Sequence, residues 1–319
     1  MKYNIAVLLG AISYGILSTI VVKAYGRGYT LGEVVGSQLM IGCVLAWALA
    51  IGMRGIKQRR ESNSKAERRV KQAGVVGRLT WKQRITLLAA GTPSAITGLL
   101  YYESLRTISN SLAIVLLFQF TWIGVVFQAI GSRKKPNRIT LMTLVVLFGG
   151  TLLAAGVMEQ GATHLDGRGV ALALLSAVSY SLFIMFSGKA VPHAAPATRS
   201  AWMITGGMLF VFSLYPPQFL FDGTIMGQLL LFGLLLGFFG AFMPPVLFTY
   251  GVPHIGGAMA GILGAAELPV AVLLSSAVLH EYVSPLQWFG IALVLAGVAM
   301  PELINRIRHS QPSYTAHSA

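Results

Sequence analysis

Ten stretches of about 20 mostly apolar residues follow one another along this chain. They lie at roughly 3–24, 31–53, 84–105, 109–131, 138–157, 167–190, 197–219, 226–250, 254–279 and 285–304. A run of that length crosses the hydrocarbon of a bilayer as a helix, which satisfies every backbone group internally. The sequence therefore predicts an all-α integral membrane protein with ten transmembrane helices. Composition agrees, with 55% hydrophobic residues, 11% charged and a mean hydropathy of +0.70. Those values exclude an ordinary soluble domain. The 36 glycines let helices approach one another closely in lipid. The first span is longer than a secretory h-region and is followed at once by a second, so it reads as a retained helix.

Charge then sets the orientation. Lys and Arg number 24 against 10 Asp and Glu. With the N-terminus inside, Lys2, the basic loop Arg54–Arg84, the turn Arg133–Arg138, Lys189, Arg199, Arg306 and Arg308 face the cytoplasm. Only Lys23, Arg27, Arg106 and Arg168 of the 24 fall on the other side. That bias predicts both termini in the cytoplasm. The basic loop has no interleaved aromatics beyond Trp81, and its position accounts for its charge, so no nucleic acid is expected as a partner. The lone Cys43 excludes an internal disulfide and any cysteine-built metal site. Low charge and the lack of a targeting extension predict a bacterial-type plasma membrane.

The chain repeats itself. Ala11-Ile12-Ser13-Tyr14 recurs as Ala177-Val178-Ser179-Tyr180, and Lys23 recurs at the same offset as Lys189. Further on, Tyr102 matches Tyr250, Ile114 matches Ile262, and Val146-Leu147 with Gly149 match Val294-Leu295 with Gly297. The second offset is shorter by about the excess length of the basic loop. Two five-helix halves follow, with an insertion in the first. Five is odd, so the halves face opposite ways, the inverted arrangement of secondary transporters with a site near the midplane.

Glu267 lies near the middle of the ninth span. An ionisable group there costs about 2.5 kcal/mol or more on insertion scales, which marks it as functional by default. Pro269, two residues on, deletes a helical hydrogen bond and frees the carbonyl of Ala265. The repeat places Gln119 opposite Glu267, with Trp122 one turn away as an aromatic wall. Both could equally serve as interhelical glue. Glu103 and Arg106 are spaced to pair at the outer end of the third helix. Lys23 and Lys189 can snorkel to the interface. His280-Glu281 lacks the second His of a zinc motif, and His254 reads as a solvated loop residue. No nucleotide-binding or hydrolase glycine pattern appears, so no cofactor, no metal and no enzymatic activity are expected.

Over nearly its whole length the chain resembles the drug/metabolite transporter superfamily and its EamA-like members. The strongest segment is Glu267–Val298, where Pro269, Glu281, Gly290 and Gly297 stand in the order of that module's final signature. Tyr14-Gly15 followed by Lys23 is similar to the first-helix pattern, with Tyr in place of the usual Trp. Gln38 occupies a region where the second helix often carries Arg, and Arg133 stands where the second module has Glu281. The resemblance implies a first module over residues 1–157, containing the basic loop 54–84. A second module covers 158–304 and a cytoplasmic tail 305–319. It implies a secondary carrier working by alternating access, with its cavity between helices 1–4 and 6–9 and helices 5 and 10 as peripheral scaffold.

The function expected is export of a small organic metabolite, amino acid or drug-like compound across the plasma membrane. Glu267, Gln119, Tyr14, Trp122, Tyr180 and Lys23 are the expected substrate contacts, and Glu267 the proton-coupling group. The solute and the lipid bilayer are the expected partners, with a homodimer kept open. A membrane enzyme and a passive channel or scaffold are the alternatives. Substrate identity, net direction and coupling ion are not fixed by the sequence.

Overall fold

The computed structural model describes residues 1–63, 79–108, 110–133, 136–154, 166–279 and 283–310. Residues 64–78 of the basic loop, together with Lys134, Lys135, His280 and Glu281, lie outside the described residues. Helices and their connecting turns make up the described chain, and no strand occurs among the described residues.

In order, the helices are α1 (Lys2–Gly15), α2 (Leu17–Gly26), α3 (Leu31–Asn63), α4 (Trp81–Ser104), α5 (Asn110–Leu117), α6 (Phe120–Ser132) and α7 (Arg138–Ala154). They continue as α8 (Gly167–Lys189), α9 (Pro196–Leu214), α10 (Gln228–Leu236), α11 (Met243–Ile255), α12 (Gly257–Gly264), α13 (Glu267–Leu279) and α14 (Pro285–Ser310). Six helical runs among the described residues are long and apolar enough to cross a membrane, and three shorter apolar helices accompany them. The chain is a multi-pass membrane protein.

Four of the expected spans are interrupted, the fourth span at Phe118–Gln119 between α5 and α6. The first breaks at Ile16, whose N–H turns back to Ser13. The eighth carries a π-helical segment, Gly237–Phe242, between α10 and α11. It precedes Pro244 and Pro245, which have no N–H to offer the turn before them. The ninth breaks at Ala265–Ala266, between α12 and α13. The seventh stops at Leu214, earlier than expected, because Pro216 and Pro217 cannot continue it.

Packing divides the helices into two groups. α7 and α14 lie along each other, with Gly150 against Val294 and Gly297 against Leu147. The others form one bundle. α4 packs along α8 and α9, while α1 packs along α11, and α3 packs along α9, α10 and the π segment. α5 and α6 lie on α8, whereas α12 and α13 lie on α1. Glycines set the closest crossings. A Cβ at Gly91 of α4 would stand 1.8 Å from the Met203 carbonyl of α9, and one at Gly206 2.1 Å from the Leu88 carbonyl.

Arg199 corrects the sequence reading. Expected as a cytoplasmic surface charge, it is 1% exposed. Its Nε donates to the Ala190 carbonyl at 2.9 Å, Nη1 to Thr249 O at 3.0 Å and Nη2 to Ser187 O. The guanidinium closes the C-terminal end of α8 against α9 and α11. Ser187 and Ala190 lie at the C-terminal end of α8, and the Thr249 carbonyl lacks its intrahelical donor because residue 253 is proline.

Candidate functional site

The bundle encloses a cavity of roughly 800 Å³, counting the space open to solvent. Its wall comes from Tyr14 to Ser18, Val35 to Leu39, Ser94 to Tyr102, Ile114 to Phe118, Tyr180, Gly240, Ala241, Glu267 and Ala271. On α2 and α5 these positions lie toward the middle of the span, and on α3 and α4 they lie in the half distant from the chain's N-terminus. The cavity therefore faces that end.

Below it, toward the N-terminal end, aromatic rings close the bundle. Phe120 meets Tyr180 at 4.5 Å between ring centroids, and Phe183 stacks on both Tyr180 and Phe248. Tyr14 stands edge-on to Tyr180 at 5.6 Å and to Phe248 at 6.0 Å. Phe120, Phe183 and Phe248 are each 1% exposed or less.

Glu267 enters the cavity from the break in the ninth span. There the N–H groups of Ala265, Ala266 and Leu268 each reach back three residues, to Ile262, Leu263 and Ala265. The carbonyl of Ala265, expected to be freed by Pro269, is thus taken by Leu268 at 3.2 Å. Pro269 lies in the first turn of α13 and the break falls ahead of it. Gly15 makes room for this turn, since a Cβ there would stand 2.5 Å from the Glu267 carbonyl. Oε2 of Glu267 is enclosed and has no hydrogen-bond partner among the described residues. The same holds for the hydroxyl of Tyr180 beside it and for Oγ of Ser18. Three orphaned polar atoms face one cavity. Such groups are costly unless something else bonds them.

The remaining wall is uncharged and mostly apolar, with a few hydroxyl and amide groups set into it. Tyr102 donates to Oε1 of Gln38 at 3.2 Å. The two repeated serines bridge between helices just behind it. Ser13 of α1 donates to the Phe239 carbonyl at 2.6 Å, and Ser179 of α8 donates to the Pro93 carbonyl at 2.7 Å. In a π turn the Phe239 carbonyl would look to residue 244, a proline, so the serine hydroxyl stands in for the missing N–H. No Lys, Arg or His lines the cavity.

Of the expected site residues, Tyr14, Tyr180 and Glu267 come together here. Gln119, Trp122 and Lys23 are not part of the wall. Gln119 accepts from Trp122 Nε1 at 2.7 Å, on a helix face where Trp122 is 45% exposed. Lys23 is exposed near the end of α2. Ser18, Gln38, Ser94, Tyr101 and Tyr102 are wall residues that the sequence reading did not select. The sequence drew attention only to Tyr102, through its pairing with Tyr250 in the repeat, and to Gln38, as a departure from the family's Arg. Elsewhere, Glu103 and Arg106 pair at 3.3 Å as expected, and His254 stacks on Tyr3 at 3.7 Å.

Residues 167–301 match the EamA-like transporter family. That stretch of the chain resembles an EamA-like domain. It supplies Tyr180, Gly240, Ala241, Glu267 and Ala271 to the cavity, and the earlier residues supply the rest. Among curated proteins, the chain is similar to the threonine/homoserine exporter RhtA of Escherichia coli, 24% identical over 69% of this chain and 71% of that protein. It is also similar to the uncharacterized inner membrane transporter YicL of Salmonella typhimurium, 25% identical over 71% and 76%. A crystal structure shares the fold with a TM-score of 0.71, at 15% identity, covering 97% of this chain and 99% of the other. The match to a transporter family and the transporter relatives together support a membrane transporter.

Proposed function

We propose that the chain exports a small amine-bearing solute, of amino-acid or small drug-like size, by alternating access in exchange for protons at Glu267. The observation that carries this is the enclosed, unpartnered Oε2 of Glu267 in a cavity whose other polar groups are neutral. A substrate ammonium supplies the missing donors and the opposite charge, and a proton neutralises the same oxygen when the substrate leaves. One carboxylate thereby holds either cargo, never both. The hydroxyls of Tyr180 and Ser18 hydrogen-bond the bound solute, while Tyr14 and Tyr180 give its apolar part a ring surface.

The ten-helix, inverted-repeat reading has support from internal geometry. Tyr14 and Tyr180, equivalent in the repeat, meet each other, as residues on a two-fold axis must. Ser13 and Ser179 make corresponding bonds to the other half. The break between α5 and α6 corresponds to the break between α12 and α13. With the N-terminus inside, the cavity faces outward and the aromatic rings close the cytoplasmic side. Relatives named as threonine and homoserine exporters fit cargo of this size.

The test is flux in proteoliposomes, with an imposed pH gradient, on wild type and Glu267→Gln. The glutamine variant keeps shape and hydrogen bonding but cannot titrate. It is expected to insert and purify normally and to lose uphill transport driven by the gradient. Wild-type uphill transport in that variant would make the carboxylate structural and end the proton-exchange reading.

A further inference from the structure

At the end of the bundle that carries the N-terminus, two arginines from different helices reach one face of α9. Arg54 of α3 donates from Nη2 to Thr198 Oγ1 at 3.3 Å. Arg84 of α4 lays its guanidinium over the Trp202 ring, 5.5 Å from the centroid. Thr198 and Trp202 are four apart on α9 and so share a face, one turn from each other. α3 and α4 both pack on α9, which brings the two guanidiniums to one groove. Neither has a carboxylate partner among the described residues, where the ion pair is Arg106–Glu103 at the opposite end. Nε of Arg84 is enclosed and has no acceptor among the described residues.

The groove is built rather than incidental. Trp202 is held edge-on by Trp47 at 5.4 Å, and Trp47 is fixed by its bond from Nε1 to Thr205 Oγ1 at 2.9 Å. Trp81, one turn before Arg84, is 71% exposed, as in the aromatic belts of membrane interfaces. Ile51, about one turn before Arg54, and Ile85, next to Arg84, are also exposed and offer apolar surface to lipid chains.

We propose that Arg54 and Arg84, backed by Trp202, bind the phosphate of an anionic lipid headgroup in the groove between α3, α4 and α9. Guanidinium forks match phosphate oxygens in pairs, and a phosphate would give the enclosed Nε of Arg84 its acceptor. The exposed isoleucines favour a phosphate that carries acyl chains over a free one. This inference stands apart from the transport cavity and from its proposed cargo.

The full chain is to be measured in phosphatidylcholine nanodiscs with and without phosphatidylglycerol. Native mass spectrometry reads the lipid retained, and thermal unfolding reads its effect. Wild type should retain phosphatidylglycerol over phosphatidylcholine and unfold at a higher temperature with it. Arg54→Gln/Arg84→Gln should lose roughly tenfold or more of that preference, while Arg27→Gln/Arg106→Gln, at the other end, should keep it. Equal preference in wild type and the Arg54/Arg84 variant would overturn the site. Equal stabilisation by inorganic phosphate in phosphatidylcholine alone would overturn the lipid as occupant. If the glutamine pair does not fold, Arg54→Lys/Arg84→Lys retains charge without forks. Full wild-type preference in it would refute the guanidinium geometry.

Discussion

Replacing Arg199 by alanine removes the donors of three buried carbonyls at once. Hydrogen bonds from a charged donor contribute about 1.5–3 kcal/mol each, less what its burial costs. The expected loss is on the order of 3 kcal/mol, seen as a lowered thermal midpoint in detergent, with Arg199→Lys in between. An unchanged midpoint would mean that water replaces the guanidinium. Gly98 makes the opposite case. It borders the cavity, and a Cβ there meets nothing within 4 Å. Gly98→Leu should leave stability within about 0.5 kcal/mol while blocking flux, since its side chain enters the cargo's space. At this scale the sequence was half legible. Glu267 announced itself because a carboxylate in mid-span is rare. Gln38, Ser18 and Tyr102 did not, because hydroxyls and amides near span ends are common and only packing tells which of them face inward. Arg199 was misread because its partners are backbone carbonyls, which leave no mark in a sequence.

At the level of helices, apolar run length located the six long apolar runs and the three shorter apolar helices among the described residues, but it carried the seventh span past Pro216 and Pro217, where α9 has already ended. Run length carries no information about breaks inside a span, where hydrophobicity stays uniform. The interruption at Ala265–Ala266 lies in an Ala-Ala pair, and Gly15 of α1 packs directly against the turn that follows it. Gly15→Val should therefore displace the Glu267 turn and reduce transport. The crossing of α4 and α9 is more demanding still. Gly91→Ala would drive a methyl group into the Met203 carbonyl, and should cost at least the 1–3 kcal/mol or so typical of overpacking. Gly149→Ala, facing open space, is the neutral control, and comparable unfolding temperatures for the two would refute the tight crossing.

For the molecule as a whole, the repeat offsets identified equivalent positions but not which end of the bundle is open. That is why Gln119 was expected beside Glu267. In an inverted pair, equivalent residues near the two helix centres need not face the same end, and here only Glu267 meets the cavity. Orientation is decided by labelling. In a Cys43→Ala background, Asn137→Cys and Asp222→Cys should react with an impermeant thiol reagent from opposite sides, Asp222→Cys from outside intact cells. Both positions are exposed and lie in connections between helices. Labelling of Asn137→Cys from outside would reverse the topology.

The aromatic closure beneath the cavity has an electrical meaning. Tyr180, Phe183, Phe248 and Phe120 meet ring against ring, and the phenylalanines bring no polar atom to the seam. Protons cross proteins along files of water and hydroxyl groups, and three of these four rings offer no relay. The seam therefore works as an insulator. A carrier that trades cargo for protons wastes its gradient if protons slip past an empty site, and rings that part only when the bundle rocks keep an idle transporter from discharging the membrane.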